Sequence, residues 1–249
     1  MDQSIKHVWI IGASSGIGAA LAKKYDQNGW RVTASARNAE TLDDLASSGH
    51  KISSLVMDVQ DAGAFDHAIA QFNQTGSLPD LVIFSAATYR PGGLDVLTHK
   101  DANNHMATNY LAAVGLIEAI TPEFTKRGHG HLAIIASLSG YCGLPNAALY
   151  GPTKAALINL CETLKPDYDQ LGLKLSLINP GFVKTPMTDK NSFSMPFLLS
   201  PEQAADKIST GLARGKFEIA FPWPLSISLK ILQKMPYALY FKLTKRLAS

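Results

Sequence analysis

A tyrosine and a lysine four residues apart, Tyr150 and Lys154 in "NAALYGPTKAAL", could carry acid–base chemistry. An unperturbed phenol has a pKa of about 10 and is a reluctant proton-transfer group near neutrality. A neighbouring cation favours phenolate and draws that pKa toward the working pH, where a proton can move in either direction. Pro152, between the two, suits the first turn of a helix, where its missing N–H costs nothing. A helix entered there sets Tyr150 and Lys154 about one turn apart at its start.

A second stretch, "IIGASSGIGAALAKKY", spaces Gly12, Gly16 and Gly18 through a loop completed by Ser14, Ser15 and Ile17. Glycine removes Cβ where backbone must turn sharply or approach a pyrophosphate. The helix that follows points its free amides and positive dipole end at the same place. By itself the spacing also fits a structural turn. Its position between a first strand and a first helix favours a dinucleotide phosphate site. The end of the second strand, "VTASARN", should select the dinucleotide: it offers Ala36 and Arg37, with no carboxylate before Glu40. An acidic residue there would grip a ribose 2′-hydroxyl, whereas the planar donors of Arg37 suit a 2′-phosphate, so NADP(H) is expected over NAD(H). The alternative is that Arg37 is a solvated residue at a helix start.

The elements that must position these groups follow from the hydrophobic pattern. Seven short apolar runs, "HVWIIGA", "RVTASA", "ISSLVMDV", "DLVIFSAA", "HLAIIASL", "LKLSLINP" and "FEIAFP", alternate with helix-like segments at 17–28, 62–73, 101–126 and 153–171. Mostly continuous apolar strands are covered on both faces, and regular β-α alternation builds a parallel sheet with right-handed crossovers. The expectation is a single doubly wound α/β domain of Rossmann type, with about seven parallel strands and helices on both faces. Its catalytic domain is placed at 1–220, with a substrate lid at about 186–200 and a C-terminal extension at 221–249. Hydrophobic residues make up 46% of the 249, enough for a sizeable core; the net charge of +3 is mild, and Lys and Arg are scattered over most of the chain without a nucleic-acid footprint. Two cysteines, Cys142 and Cys161, make neither a disulfide framework nor a zinc site, and no metal is expected. No signal-like start and no run of about 18 apolar residues is present, so a cytoplasmic location is expected.

With "GASSGIG", the Tyr150/Lys154 pair and "NPGFVKTP" in that order, the chain resembles the short-chain dehydrogenase/reductase family over about residues 6–220. The resemblance implies an NADP(H)-dependent oxidoreductase interconverting a carbonyl and an alcohol. In it Tyr150 is the general acid/base, and Lys154 tunes Tyr150 and holds the nicotinamide ribose. It also implies that Ser137, thirteen residues before Tyr150, hydrogen-bonds the substrate oxygen, with Ser139 the near rival. Asn109 completes the tetrad and positions a water toward Lys154. Asp58 and Val59 flank the adenine, Ala86 follows the fourth strand beside the cofactor, and Pro180, Gly181, Val183 and Thr185 close over the nicotinamide half. Read from the residues alone, Asn109 could instead hold a helix kink, Asp58 could cap a helix, and Ser137 could simply end a strand. Two positions depart from the family pattern. Ile11 stands where threonine is usual, and "FSAA" at 84–87 replaces "NNAG"; the two sites face one another in the family and are expected to stay packed. Family members also suggest a homodimer or homotetramer through the helices beginning near Asp101 and Thr153.

Phe193, Met195, Phe197 and Leu198 make the lid apolar, and Tyr89, Tyr141 and Leu144 are expected opposite them, which implies an apolar or partly apolar substrate. From Phe221 onward the chain holds Lys230, Lys234, Lys242, Lys245 and Arg246 and no acid; subtracting these five from +3 leaves −2 for residues 1–220. Such a basic amphipathic helix, residues 222–249, could contact a membrane peripherally, cover its own domain or pack on a second subunit. Two other functions fit the pattern: a non-catalytic dinucleotide-binding regulator or membrane-associated scaffold, and a sugar-nucleotide epimerase or dehydratase. The intact Ser137–Tyr150–Lys154 set argues against the first, and the short chain and glycine spacing against the second.

Overall fold

The computed structural model describes residues 6–245. All seven apolar runs are strands: β1 (His7–Ile11), β2 (Arg31–Ala36), β3 (Ile52–Val56), β4 (Leu81–Phe84), β5 (His131–Ile135), β6 (Lys174–Pro180) and β7 (Glu218–Phe221). They form one parallel sheet in the order β3-β2-β1-β4-β5-β6-β7. The order reverses between β1 and β4, and in open sheets of this kind ligands bind in the crevice beyond the carboxyl ends of the strands at that switch point.

Successive strand residues point to opposite faces, and the sheet accordingly carries two cores. Val8 and Ile10 of β1 pack with Leu21 of α1 (Gly16–Gln27), Leu42 of α2 (Ala39–Ser47) and Ile208 of α7 (Pro201–Ala213). Trp9 and Ile11 face the other way. They pack with Phe65 of α3 (Ala64–Gln74), Leu116 of α5 (Ala112–Arg127) and Leu157 of α6 (Tyr150–Gln170). Every residue of β1 is buried, which accounts for the unbroken apolar run Val8–Ile11 after His7, whereas β3, at the sheet edge, is half exposed.

Two helices not singled out from the sequence have readable caps. The Asn38 side chain accepts from the Thr41 amide at the start of α2, and Ser200 and Gln203 form a reciprocal capping box before α7 with Pro201 in its first turn. The long helical stretch expected at 101–126 is interrupted. α4 (His99–Met106) runs into a π-helical turn at Ala107–Leu111 before α5 resumes. Beyond β7 lie two helices, α8 (Trp223–Gln233) and α9 (Tyr237–Lys245), rather than one continuous amphipathic helix. Leu229 and Leu232 of α8 and Tyr240 of α9 pack on Leu138 and Tyr141 in a third cluster, so this segment covers its own sheet edge. Arg246 lies outside the described residues.

Candidate active site

A cleft of about 1210 Å³ opens at the carboxyl ends of β1, β4, β5 and β6. Pockets for one drug-sized ligand span roughly 300–1,000 Å³, so there is room here for more than one. Its walls gather Gly12, Ser14, Ser15, Gly16, Ile17, Arg37, Asp58, Val59, Ala86, Ser137, Tyr150, Lys154, Pro180, Gly181, Val183 and Thr185. Of the catalytic and cofactor residues anticipated from the sequence, Gly18 and Asn109 do not line it.

The glycine loop is a cradle that side chains would fill. Gly12 has φ +90°, and a Cβ there would come within 2.5 Å of the Ala86 amide nitrogen. A Cβ on Gly18 would fall 2.1 Å from the Gly12 carbonyl oxygen, so Gly18 serves by letting α1 approach its own loop, not by touching a ligand. The first turn of α1 carries no acidic residue, and the Ser15 side chain makes no capping bond. Its amides are therefore available to an anion. Ile11 pairs in register with Phe84, and both are fully buried. The two departures from the family pattern thus form one apolar contact beneath this loop. These features fit a dinucleotide: the loop and α1 would hold its pyrophosphate, and Arg37, Asp58 and Val59 its adenosine end. Arg37 sits 3.8 Å from Asp58 and is largely exposed. Asp58 also accepts from the Gln60 amide, so it both closes a turn and faces the cleft.

On the opposite wall, Tyr150 opens α6 itself and Pro152 falls in the first turn, so Tyr150 and Lys154 are i and i+4 on one helix. Lys154 is fully buried; its Nζ donates to the Ile135 carbonyl at 2.9 Å and lies 5.3 Å from the centre of the Tyr150 ring. Burial drives the Tyr150 phenol above its ordinary range, the Tyr89 phenol adds to the effect, and the Ser137 hydroxyl works the other way. Burial also drags the Lys154 ammonium down, to about 7. In the chain without a dinucleotide, burial therefore acts on the phenol in the direction opposite to the acidification expected from the sequence. The lysine meets the ring face and a carbonyl, and desolvation weakens its own charge.

Ser137 caps a short 3₁₀ turn at Leu138–Gly140. Its Oγ accepts from the Ser139 amide (3.1 Å) and the Ser139 hydroxyl (3.0 Å) and donates weakly to the Pro180 carbonyl (3.4 Å). Ser139 also lines the cleft, so the rival serine is a partner. Asn109, on the π-helical turn, spends its amide elsewhere. Its Oδ1 accepts from the Thr88 amide (2.7 Å), and its Nδ2 donates to the Thr88 carbonyl and to Thr153 Oγ1, both at 3.0 Å. Thr153 in turn donates to the Tyr150 carbonyl. The side chain expected to steer a water toward Lys154 instead ties the chain after β4 to the first turn of α6. It positions Tyr150 from behind.

The end of the cleft expected from the sequence to take the substrate is lined differently from that expectation. Phe193 lines the cleft and meets Phe182 edge-on at 6.0 Å, but Phe197 and Leu198 are exposed to solvent and Met195 is not in the wall. Tyr89 and Leu144 line the cleft; Tyr141 does not, because its hydroxyl turns away to donate to Glu218. Leu225 and Leu229 of α8 take that place, which apolar periodicity alone could not have assigned. The Tyr89 ring stands edge-on to Tyr150 at 5.0 Å, and its hydroxyl donates to Asn191 at 2.6 Å, joining the loop after β6 to the Tyr150 wall. That loop is pinched at its base by the Lys184–Leu199 and Leu199–Phe182 backbone bonds. Among the described residues no group of three or more His, Cys, Asp or Glu side chains could hold a metal ion.

Comparison with known proteins gives the same outline. The family model described as short chain dehydrogenase matches residues 6–195. An uncharacterized oxidoreductase of Myxococcus xanthus is 30% identical over 99% of both chains. The gluconate 5-dehydrogenase of Gluconobacter oxydans is 32% identical over 73% of this chain and 72% of its own. Among solved structures, a short-chain dehydrogenase from Streptomyces avermitilis superposes with a TM-score of 0.84 at 22% identity, covering 98% of each chain. A Burkholderia cenocepacia short chain dehydrogenase in complex with NADP gives 0.84 at 21% identity over 98% of this chain and 99% of its own.

Proposed function

The chain belongs to the short-chain dehydrogenase family of oxidoreductases, and from that premise we propose that it is an NADP(H)-dependent enzyme interconverting a carbonyl and an alcohol on an apolar or partly apolar substrate. The observation that carries this reading is the convergence of Tyr150, Ser137 and Lys154 on one cleft that also holds the glycine cradle. A bound nicotinamide would supply or accept the hydride. The chain's own residues do the rest. The Ser137 hydroxyl, oriented by Ser139, offers a hydrogen bond to the substrate oxygen. The Tyr150 phenol stands beside it and holds a proton at its Oη.

A phenol is protonated at neutral pH, burial further opposes its ionisation, and Tyr150 can donate as an alkoxide develops. Lys154 holds the Ile135 carbonyl and the Tyr150 ring and would reach the ribose. Phe182, Phe193, Leu225 and Leu229 exclude water around the reacting carbon and favour an apolar substituent. Arg37, with no carboxylate at the end of β2, supports NADP(H).

Tyr150→Phe tests the assignment. It removes one hydroxyl from a packed ring, so NADPH binding should persist while NADPH oxidation with a panel of apolar ketones and aldehydes falls roughly 10²–10⁴-fold, the range for loss of general acid catalysis. Full turnover by that variant would remove Tyr150 from the chemistry.

A further inference from the structure

Of the large apolar side chains exposed among the described residues, six fall within α8 and α9: Trp223 (71% exposed), Ile227, Ile231, Tyr237 (76%), Leu239 and Phe241 (60%). Trp223, Ile227 and Ile231 are spaced at i, i+4 and i+8 and so form one stripe along α8. Its other side, through Leu229 and Leu232, is packed on the sheet edge. On α9, Tyr237 and Phe241 stack on each other at 5.5 Å, while Tyr240 turns inward and donates to the Gly143 carbonyl.

The charged residues of this segment itself have one sign. Residues 221–245 hold Lys230, Lys234, Lys242 and Lys245 and no acid. Of these, Lys230 pairs with Glu218, which also accepts from Tyr141 and Asn179 and clasps α8 to β7. Among the described residues, Lys234, Lys242 and Lys245 form no ion pair.

We propose that the outer faces of α8 and α9 seat on an anionic lipid surface. Solvent-facing aromatic and aliphatic side chains beside unpaired lysines are what an interfacial helix presents to such a surface. Trp and Tyr, each with an apolar body and a polar edge, favour the headgroup level. The contact is peripheral, because no described helix is long and apolar enough to cross a membrane. Among other occupants, a second copy docked through the same face would set lysines against lysines, since a two-fold interface opposes a patch to itself. An anionic surface has no such penalty. α8 also supplies Leu225 and Leu229 to the cleft, so this contact lies one helix away from the substrate wall. The inference goes beyond the oxidoreductase reading and does not depend on it.

The full chain should float with phosphatidylcholine–phosphatidylglycerol vesicles and far less with phosphatidylcholine alone. Its tryptophan emission should shift to the blue on binding, because Trp223 is exposed whereas Trp9 is fully buried and Trp30 is half-buried against Tyr25, away from this segment; Trp223→Phe should abolish the shift. The triple variant Lys234→Gln, Lys242→Gln, Lys245→Gln should lose affinity on the order of 100-fold, at about fivefold per lysine near an anionic surface. Should any of these variants melt lower than the parent, Ile227→Ser with Ile231→Ser supplies the comparison. These residues are exposed, whereas truncation at 222 would bare Leu138 and Tyr141. Absent binding, equal binding to both vesicle types, or an emission shift that survives in Trp223→Phe would overturn the proposal. So would a dimer that dissociates on Ile227→Ser/Ile231→Ser and ignores vesicles, which would assign the face to a second copy.

Discussion

Replacing Lys154 with methionine should stabilise the folded protein while disabling the site, and the size of the effect should depend on pH. Lys154 is 1% exposed and its pKa falls from 10.5 to about 7 through burial. At about 1.4 kcal/mol per pH unit, that shift corresponds to roughly 5 kcal/mol of folding free energy opposed by the buried ammonium. Below pH 7 the lysine is protonated in both folded and unfolded chains, and the whole penalty is present. Between about 7 and 10.5 the unfolded chain binds the extra proton, so stability contributed by this group rises with pH. Above 10.5 both states are neutral and the penalty is gone.

Methionine fills a similar volume without a charge. It forfeits the hydrogen bond to the Ile135 carbonyl, worth about 1 kcal/mol. Lys154→Met should therefore gain about 3–4 kcal/mol over the parent at pH 6, once that hydrogen bond is set against the roughly 5 kcal/mol penalty. The gain should shrink by about 1.4 kcal/mol per unit above pH 7 and vanish before pH 10. Urea unfolding of both proteins at several pH values measures the difference, in which every other titrating group cancels. Parallel stability curves from pH 7 to 10 would show that the ammonium carries no burial penalty and would refute the reasoning. NADPH oxidation by the variant should fall in the same preparations, so a site feature and a stability cost would be read from one residue.

Two further substitutions probe the cofactor half of the cleft. Gly18→Ala places a methyl group 2.1 Å from the Gly12 carbonyl oxygen; relieving about 1–3 kcal/mol of overpacking should move the loop and weaken NADPH binding roughly tenfold to a hundredfold in a fluorescence titration. An unchanged affinity would mean that the loop yields without loss. Arg37→Asp should leave the melting temperature nearly unaltered, because the exposed pair with Asp58 contributes about 0–1 kcal/mol. It should also lower NADPH affinity by roughly 10–150-fold, the loss of a charged hydrogen bond of about 1.5–3 kcal/mol, without weakening NADH. Equal losses for both dinucleotides would place Arg37 away from the 2′-phosphate.

The sheet and its cofactor loop were legible because they depend on local pattern. Continuous apolar runs such as His7–Ile11 are long enough to record burial on both faces, and all seven were readable as strands. Gly12, with its positive φ and its approach to Ala86, is a backbone requirement that only one residue type meets cheaply. Tyr150 and Lys154 lie on one helix turn, so their spacing in the chain is their spacing in space.

What the tertiary structure decided involves groups brought together from distant parts of the chain. Nothing local says that Asn109 will be spent on Thr88 and Thr153, that Tyr141 will leave the cleft for Glu218, or that Leu225 will enter it. The charge state of the central pair belongs to the same class. Sequence spacing predicts an ammonium that acidifies a phenol, whereas burial of both pushes the phenol up and the lysine down. Helical adjacency is a property of sequence distance. Desolvation is a property of everything that surrounds a group, and that is settled only when the whole chain has packed.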